Sequence, residues 1–314
     1  MSNNYFKVIR SGINTTFQDK GRPNLYHLGI PFSGAMDNRN YLLVNKLVEN
    51  DSNNPVLEFA YQGPHLKYIG DKISFAVTGD VSFKIKSKTS EIDGNCYESY
   101  EINNGDEINI LSTNKSVYGY LSFSGKFEVS YQWGSCSTNT KSNIGANNGK
   151  KLQNEQIINI AQINKNFNKK RINYFNTKIE KIRVIKGTNF NYFSEIAINN
   201  FFKKEFKISK LSDRMGMRLE GNKLENIYNS NIKSEGLIKG VIQVPGDGNP
   251  IVMLSDHGTI GGYPKIAVII SADYDRLVQL PSGSKIKFQQ IELSDAETLF
   301  KMYEMETQNL ISQI

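Results

Sequence analysis

The chain has 314 residues, 39% of them apolar and 11% aromatic, which is enough to fill packed cores and excludes a wholly disordered protein. Its length exceeds what one core usually fills, so two domains are expected. The 38 Lys and Arg against 31 Asp and Glu give a formal charge of +7, a mild basic bias that makes no nucleic-acid footprint without a recognition motif.

The first residues, 1–7, contain no apolar core of signal-peptide length, and the longest apolar run, 266–272, is one strand long. A soluble, cytoplasmic protein is expected, with no membrane or nucleic-acid partner. Residues 15–22 and 29–37 crowd polar groups between glycines and a proline. Arg22 offers an anion-binding fork there, and Gln18, Asp19, Ser33 and Asp37 offer hydrogen-bonding groups. Asp37 also stands where it would cap a helix through about Val48, with Tyr41, Val44, Leu47 and Val48 on one stripe.

Period-two alternation then dominates. Residues 72–78, 81–86, 107–111 and 117–123 read as short strands bounded by Gly, Asn and Asp turns, and 182–186, 241–244, 251–254, 265–271 and 285–288 continue the pattern. Such a run argues for a mainly β protein of antiparallel barrels or sandwiches with a few helices. Ser294 to Glu297 has the form of a capping box that opens a C-terminal helix, with Leu299, Phe300, Met302 and Tyr303 available for packing. Two turn-then-strand stretches echo each other, Gly105 to Ile110 with Gly283 to Phe288, and Leu57-Glu58 with Leu219-Glu220. Between the halves, residues 165–186 gather Lys165, Lys169, Lys170, Arg171, Lys178, Lys181, Arg183 and Lys186. That stretch reads as a solvated strand face or linker, and the domain boundary is placed near residue 175.

Cys96 and Cys136 have no CxxC spacing and read as buried or idle thiols. His27, His65 and His257 are too far apart for a zinc motif, so no metal is expected. Residues 145–151 have one residue too few between their glycines for a phosphate loop and lack its closing Ser or Thr. No G-x-S-x-G nucleophile elbow is present. Residues 212–221 carry Arg214 and Arg218 four apart with Glu220 nearby, which suits a salt bridge or substrate binding equally. Residues 243–250 and 256–265 carry the densest chemistry, as a loop anchored by the apolar strands on either side. Gly261 and Gly262 lack a Cβ and would let a substrate approach backbone N–H donors of the kind a developing oxyanion needs. Lys265 adds a cation for a carboxylate or phosphate, Tyr263 a phenol for proton handling, and Asp256 a base or a partner that orients the lysine. The alternative is a hairpin loop whose glycines serve its turns.

Taken together, Thr15-Thr16-Phe17-Gln18-Asp19-x-Gly21-Arg22, Gly29-Ile30-Pro31-x-Ser33-Gly34-Ala35-Met36-Asp37, Leu57-Glu58, Gly134-Ser135-Cys136-Ser137-Thr138, Asp213-Arg214-Met215-Gly216-x-Arg218, Gln243-Val244-Pro245 and Gly261-Gly262-Tyr263-Pro264-Lys265 resemble, in order, the biotin-dependent carboxyltransferase family. That family includes the C subunit of bacterial 5-oxoprolinase, the KipA proteins and the carboxyltransferase region of urea carboxylase. The resemblance implies two cyclophilin-like β-barrel domains, residues 1–175 and 176–314, the second carrying the Gly-Gly-Tyr-Pro-Lys loop. It implies the C subunit of an ATP-dependent 5-oxoprolinase, working with the A subunit and with a KipI-like B subunit to open the lactam 5-oxo-L-proline to L-glutamate. ATP would be used in the complex, at no site identifiable in this chain, and no biotinyl-lysine segment is carried here. In that chemistry Lys265 and the Gly261–Gly262 backbone would hold the anionic oxygen or phosphate, and Tyr263 and Asp256 would move protons. Arg22, Arg214 and Arg218 would bind the substrate carboxylate, with Gln18, Ser33, Asp37 and Gln243 as further substrate-binding positions. Rival readings are a carboxyltransferase acting on a urea-like amide, and a KipA-like regulator of a kinase inhibitor. The sequence departs from the family at Gly258, Asn24, Lys150, Lys126 and Ser284, where Gln, Gly, Arg, Gly and Asp are usual.

Overall fold

The computed structural model describes residues 4–164, 167–174, 179, 181–228 and 231–314. The chain sorts into two units: Met1–Arg22, Asp37–Phe175 and Thr307–Ile314 make the first, and Pro23–Met36 with Asn176–Glu306 the second. The boundary expected near residue 175 lies outside the described residues, as do Lys165 and Lys178.

The first unit contains β1 (Tyr5–Arg10), β2 (Asn14–Gln18), β3 (Val56–Ala60), β4 (His65–Ile69), β5 (Ile73–Thr78), β6 (Val81–Lys86), β7 (Glu91–Gly94), β8 (Ser99–Ile102), β9 (Glu107–Thr113), β10 (Tyr118–Phe123), β11 (Lys126–Phe127) and β12 (Ile157–Ala161). They form a seven-stranded sheet in the order β11-β12-β1-β4-β9-β6-β7 and a five-stranded sheet in the order β2-β3-β10-β5-β8. The alternation in β6 comes from one buried face: Val81, Phe83 and Ile85 point inward while the residues between them reach the surface. β3 and β5 are buried throughout. One core joins the sheets, with Phe6, Tyr68, Phe83 and Ile108 from the larger and Phe17, Phe59, Phe75 and Leu121 from the smaller. Each such side chain contributes about 1.5–3 kcal/mol when fully buried. Helix α1 (Asn38–Leu47) starts where expected, because the Asp37 carboxylate accepts the Asn40 N–H at 3.0 Å and so satisfies one end donor.

The second unit contains β13 (Lys181–Lys186), β14 (Phe206–Ile208), β15 (Gly216–Glu220), β16 (Glu235–Gly236), β17 (Val241–Gln243), β18 (Ile251–Met253), β19 (Ile260–Gly261), β20 (Lys265–Ile269) and β21 (Lys285–Gln290). Seven of these close a barrel in the order β13-β20-β17-β18-β15-β14-β21, and the parallel pair β13–β21 seals it. Helices α2 (Glu195–Lys203), α3 (Ser271–Val278) and α4 (Leu293–Ser312) complete the architecture. Phe201 of α2 stacks on Phe288 of β21 with centroids 4.5 Å apart. Helix α4 begins at Leu293, with the Ala296 N–H bonded to the Glu292 carbonyl, so Ser294 lies inside the first turn instead of capping it.

The link from β18 to β20 is not a hairpin, since β17 separates those strands in the barrel. It runs past the end of β17, where the Val244 N–H bonds to the Pro264 carbonyl at 3.0 Å, and on the way β19 pairs with β16 as a separate two-stranded ribbon. This routing brings the Gly-Gly-Tyr-Pro-Lys segment beside Gln243.

Candidate active site

Lys265 is the first residue of β20 and enters the barrel end with its side chain only 5% exposed. Its backbone N–H is tied to Asn189 Oδ1 at 3.1 Å, and its register partner across β17 is Gln243. The Lys265 Nζ donates to Glu235 Oε2 at 2.6 Å. That carboxylate, at the start of the β16 strand, is opposite Gly261 in the ribbon. Gln243 is buried and donates from Nε2 to the Tyr263 carbonyl at 3.1 Å. A Cβ on Gly261 would fall 2.7 Å from Gln243 Nε2 and 2.8 Å from Leu237 Cδ1, so glycine is needed there for space against the glutamine amide. Gly262 gives its carbonyl to the Ile232 N–H at 2.9 Å. Tyr263 keeps 40% of its surface exposed. Lys265, Gly261, Gly262, Tyr263 and Gln243 are thus brought together.

Asp256 lies in the same unit but its carboxylate is engaged elsewhere. Both oxygens accept from buried Arg214, at 2.8 Å from Nε and 3.1 Å from Nη2, and Arg214 Nη2 also donates to the Gly34 carbonyl at 2.7 Å. The Asp256 N–H returns a bond to the Arg214 carbonyl. Ser33 sits against this pair with a left-handed backbone, φ 58°, and its N–H bonds to the Ser255 carbonyl at 2.9 Å. Next in the chain, His257 is fully buried, which lowers its pKa below the ordinary 6.5 and holds it neutral. Its Nδ1 lies 2.6 Å from the Gly258 carbonyl, which can only accept, so Nδ1 carries the proton. Nε2 is left to accept from the Tyr26 hydroxyl at 3.2 Å. Arg218 is exposed on β15 and is not part of this cluster.

Gln18, Arg22 and Asp37 belong to the first unit. Gln18 Nε2 donates to the Thr138 carbonyl and to Thr16 Oγ1, each at 2.9 Å. Arg22 is buried and turns its donors onto backbone carbonyls, of Gln132 at 3.1 Å, Ser137 at 2.6 Å and Ser135 at 3.4 Å. Asp19 braces the same segment by accepting from Ser135 Oγ, Ser137 Oγ, the Cys136 N–H and the Gly21 N–H. Asp37 caps α1. Burial pushes both thiols up, Cys96 to about 11 and Cys136 well above its ordinary value, so neither is a ready nucleophile. Among the described residues no group of His, Cys, Asp and Glu side chains is placed to hold a metal. Residues Ala146–Gly149 form a 3-10 turn with Asn147 and Asn148 left-handed, not the helix start a phosphate loop requires.

A family model described as the carboxyltransferase domain, subdomain A and B, matches residues 28–290. The chain belongs to the carboxyltransferase-domain family. Among curated members, the C subunit of 5-oxoprolinase from Escherichia coli (strain K12) is 32% identical over 297 residues, covering 92% of each chain. The C subunit of 5-oxoprolinase from Haemophilus influenzae is 31% identical over 291 residues, again covering 92% of each. The crystal structure of the K. lactis urea amidolyase superposes with a TM-score of 0.89 at 27% identity, over 99% of this chain and 20% of that one. The carboxyltransferase assignment and the mainly β architecture with few helices are as the motifs implied. Glu235 and Asn189 escaped the sequence reading, because neither lies in a motif or a periodic stretch and folding alone brings them to Lys265.

Proposed function

We propose that this chain is the C subunit of an ATP-dependent 5-oxoprolinase, which opens 5-oxo-L-proline to L-glutamate together with the A and B subunits. The observation that carries the reading is the end-to-end correspondence, 92% of both chains, with two 5-oxoprolinase C subunits, against 20% of the urea amidolyase chain. A lactam is a poor electrophile, and ATP hydrolysis in the assembled complex supplies the activation. Residues 145–151 form no phosphate cradle, and the nucleotide is assigned to no site on this chain.

The local chemistry falls to the β20 end of the second unit. Lys265 receives negative charge, either the substrate carboxylate or the oxygen that becomes anionic as water adds to the ring carbonyl; a pre-positioned cation in a poorly hydrated site stabilises that charge strongly. Gln243, fixed by its bond to the Tyr263 carbonyl, and the Gly261–Gly262 backbone line the same place. Tyr263 is the exposed phenol that hands protons to and from solvent. Arg214 and Asp256, locked on each other, position the Ser33–Gly34 turn and the start of the 256–265 loop.

A second reading is favoured by one observation, the TM-score of 0.89 to the urea amidolyase: transfer of a carboxyl group to a urea-like amide, with a separate biotinylated carrier. Co-purification with a biotinylated polypeptide would select it. For the first reading, the chain is co-expressed with its partner subunits and ATP-dependent glutamate release is assayed. Lys265→Ala is expected to lower turnover by about a hundredfold or more; near-normal turnover would reject the assigned role.

A further inference from the structure

Resting on that reading for the identity of the site, we propose that Glu235 is an intramolecular stand-in for the oxyanion that Lys265 receives, and so makes the site selective for anionic ligands. An ammonium taken almost wholly out of water needs a counter-charge. Asp256 does not supply it, since both of its oxygens are on Arg214. Glu235 does, at 2.6 Å.

The pair is unequal in its freedom to move. Lys265 is held by the β20–β17 pairing and by Asn189. Glu235 rides on a two-residue strand, and its side chain is 45% exposed. The ribbon lies on the 259–262 segment through the Glu235–Gly261 and Gly236–Ile260 pairs, the Leu237 N–H to the Thr259 carbonyl and the Ile232 N–H to the Gly262 carbonyl, each of the last two at 2.9 Å. Among the described residues nothing lies within 4 Å of the place a Cβ on Gly236 would take, so the ribbon is open to them on that side. The carboxylate can therefore swing into water, whereas the ammonium cannot follow it. An entering carboxylate or phosphate replaces one oxygen at Nζ by another, and the buried charge stays balanced. A neutral amide that displaced Glu235 would leave the ammonium unpaired, which is strongly unfavourable. Glu235 is thus a specificity-determining residue, and the ribbon is its carrier.

The test labels Lys265 in the full chain with an amine-acylating reagent, read by peptide mass spectrometry, with acetate and inorganic phosphate as protecting probes. Glu235→Gln should label about tenfold faster than wild type, because no ion pair has to open before the reagent reaches Nζ, and should be protected at about tenfold lower anion concentration. Glu235→Asp, which keeps the charge but draws it back, should fall between the two. Protection by phosphate alone or by both anions identifies the oxyanion class; identical labelling rates or coincident protection curves would overturn the proposal. In the reconstituted complex Glu235→Gln should lower KM for 5-oxoproline by about tenfold, more than it changes kcat, and an unchanged or raised KM counts against it. Turnover that survives Lys265→Ala would defeat the functional reading alone, leaving the labelling arms to decide Glu235.

Discussion

Among individual residues, His257 has the clearest solution signature. Its imidazole is buried between the Tyr26 hydroxyl and the Gly258 carbonyl, and burial outweighs the favourable charge of Asp256, while Lys239 adds to the lowering. The folded-state pKa lies below 6.5, so on acidification the unfolded chain binds the proton first. The stabilisation is complete above about pH 6.5 and is lost as the pH falls through the folded-state value. Thermal unfolding followed between pH 7.5 and 5.5 should show wild-type Tm dropping more steeply than that of His257→Asn; parallel profiles would assign the acid sensitivity to another group. At this scale the sequence was legible in residue type more than in partnership. Lys265, Gln243 and the two glycines were readable as a group because they share one loop and its flanking strand. That Lys265 pairs with Glu235, while Asp256 pairs with Arg214, depends on which barrel strands are neighbours, and spacing along the chain carries none of that.

Elements were legible where one face is buried and the other is wet. β6 and β9 announce themselves by alternation, and α1 by Asp37 and its apolar stripe. β3 is covered on both faces, and its all-buried Val-Leu-Glu-Phe-Ala gives no period to count. Helix α3 was missed because it follows β20 without a side-chain cap. The 15–22 motif, read from sequence as a set of ligand-binding groups, spends Asp19 and Arg22 on the segment from Gln132 to Ser137. Gln132 and Ser135 exchange backbone bonds across a tight turn whose tip is Trp133, left-handed at φ 50° and 54% exposed. Asp19→Ala would strand several buried donors, at about 1–3 kcal/mol for each one left unpaired. Because Trp133 is the single tryptophan of the chain, urea unfolding followed by its fluorescence reports on this brace directly, and a midpoint equal to wild type would contradict the role given to Asp19.

For the whole molecule, the two-half organisation leaves a structural trace in its turns. Gly105 and Gly283, matched in the sequence echo, adopt φ of 93° and 91° and each leads into a strand, β9 and β21. Part of the basic stretch that stood out in composition is paired with acids: in the first unit Lys170 with Glu49 at 2.8 Å and Arg171 with Glu98 at 3.3 Å, and in the second Arg183 with Asp273. The second unit depends most on its seal. β21 pairs with β13 on one side and β14 on the other, so a chain lacking residues 285–290 is expected to pellet on expression where the full chain stays in the supernatant. For a nascent chain the same join means waiting. Until residue 290 has emerged from the ribosome, β13 and β14 each keep a raw margin able to stitch onto a neighbouring polypeptide, so translational pauses inside this half are when chaperone cover matters most.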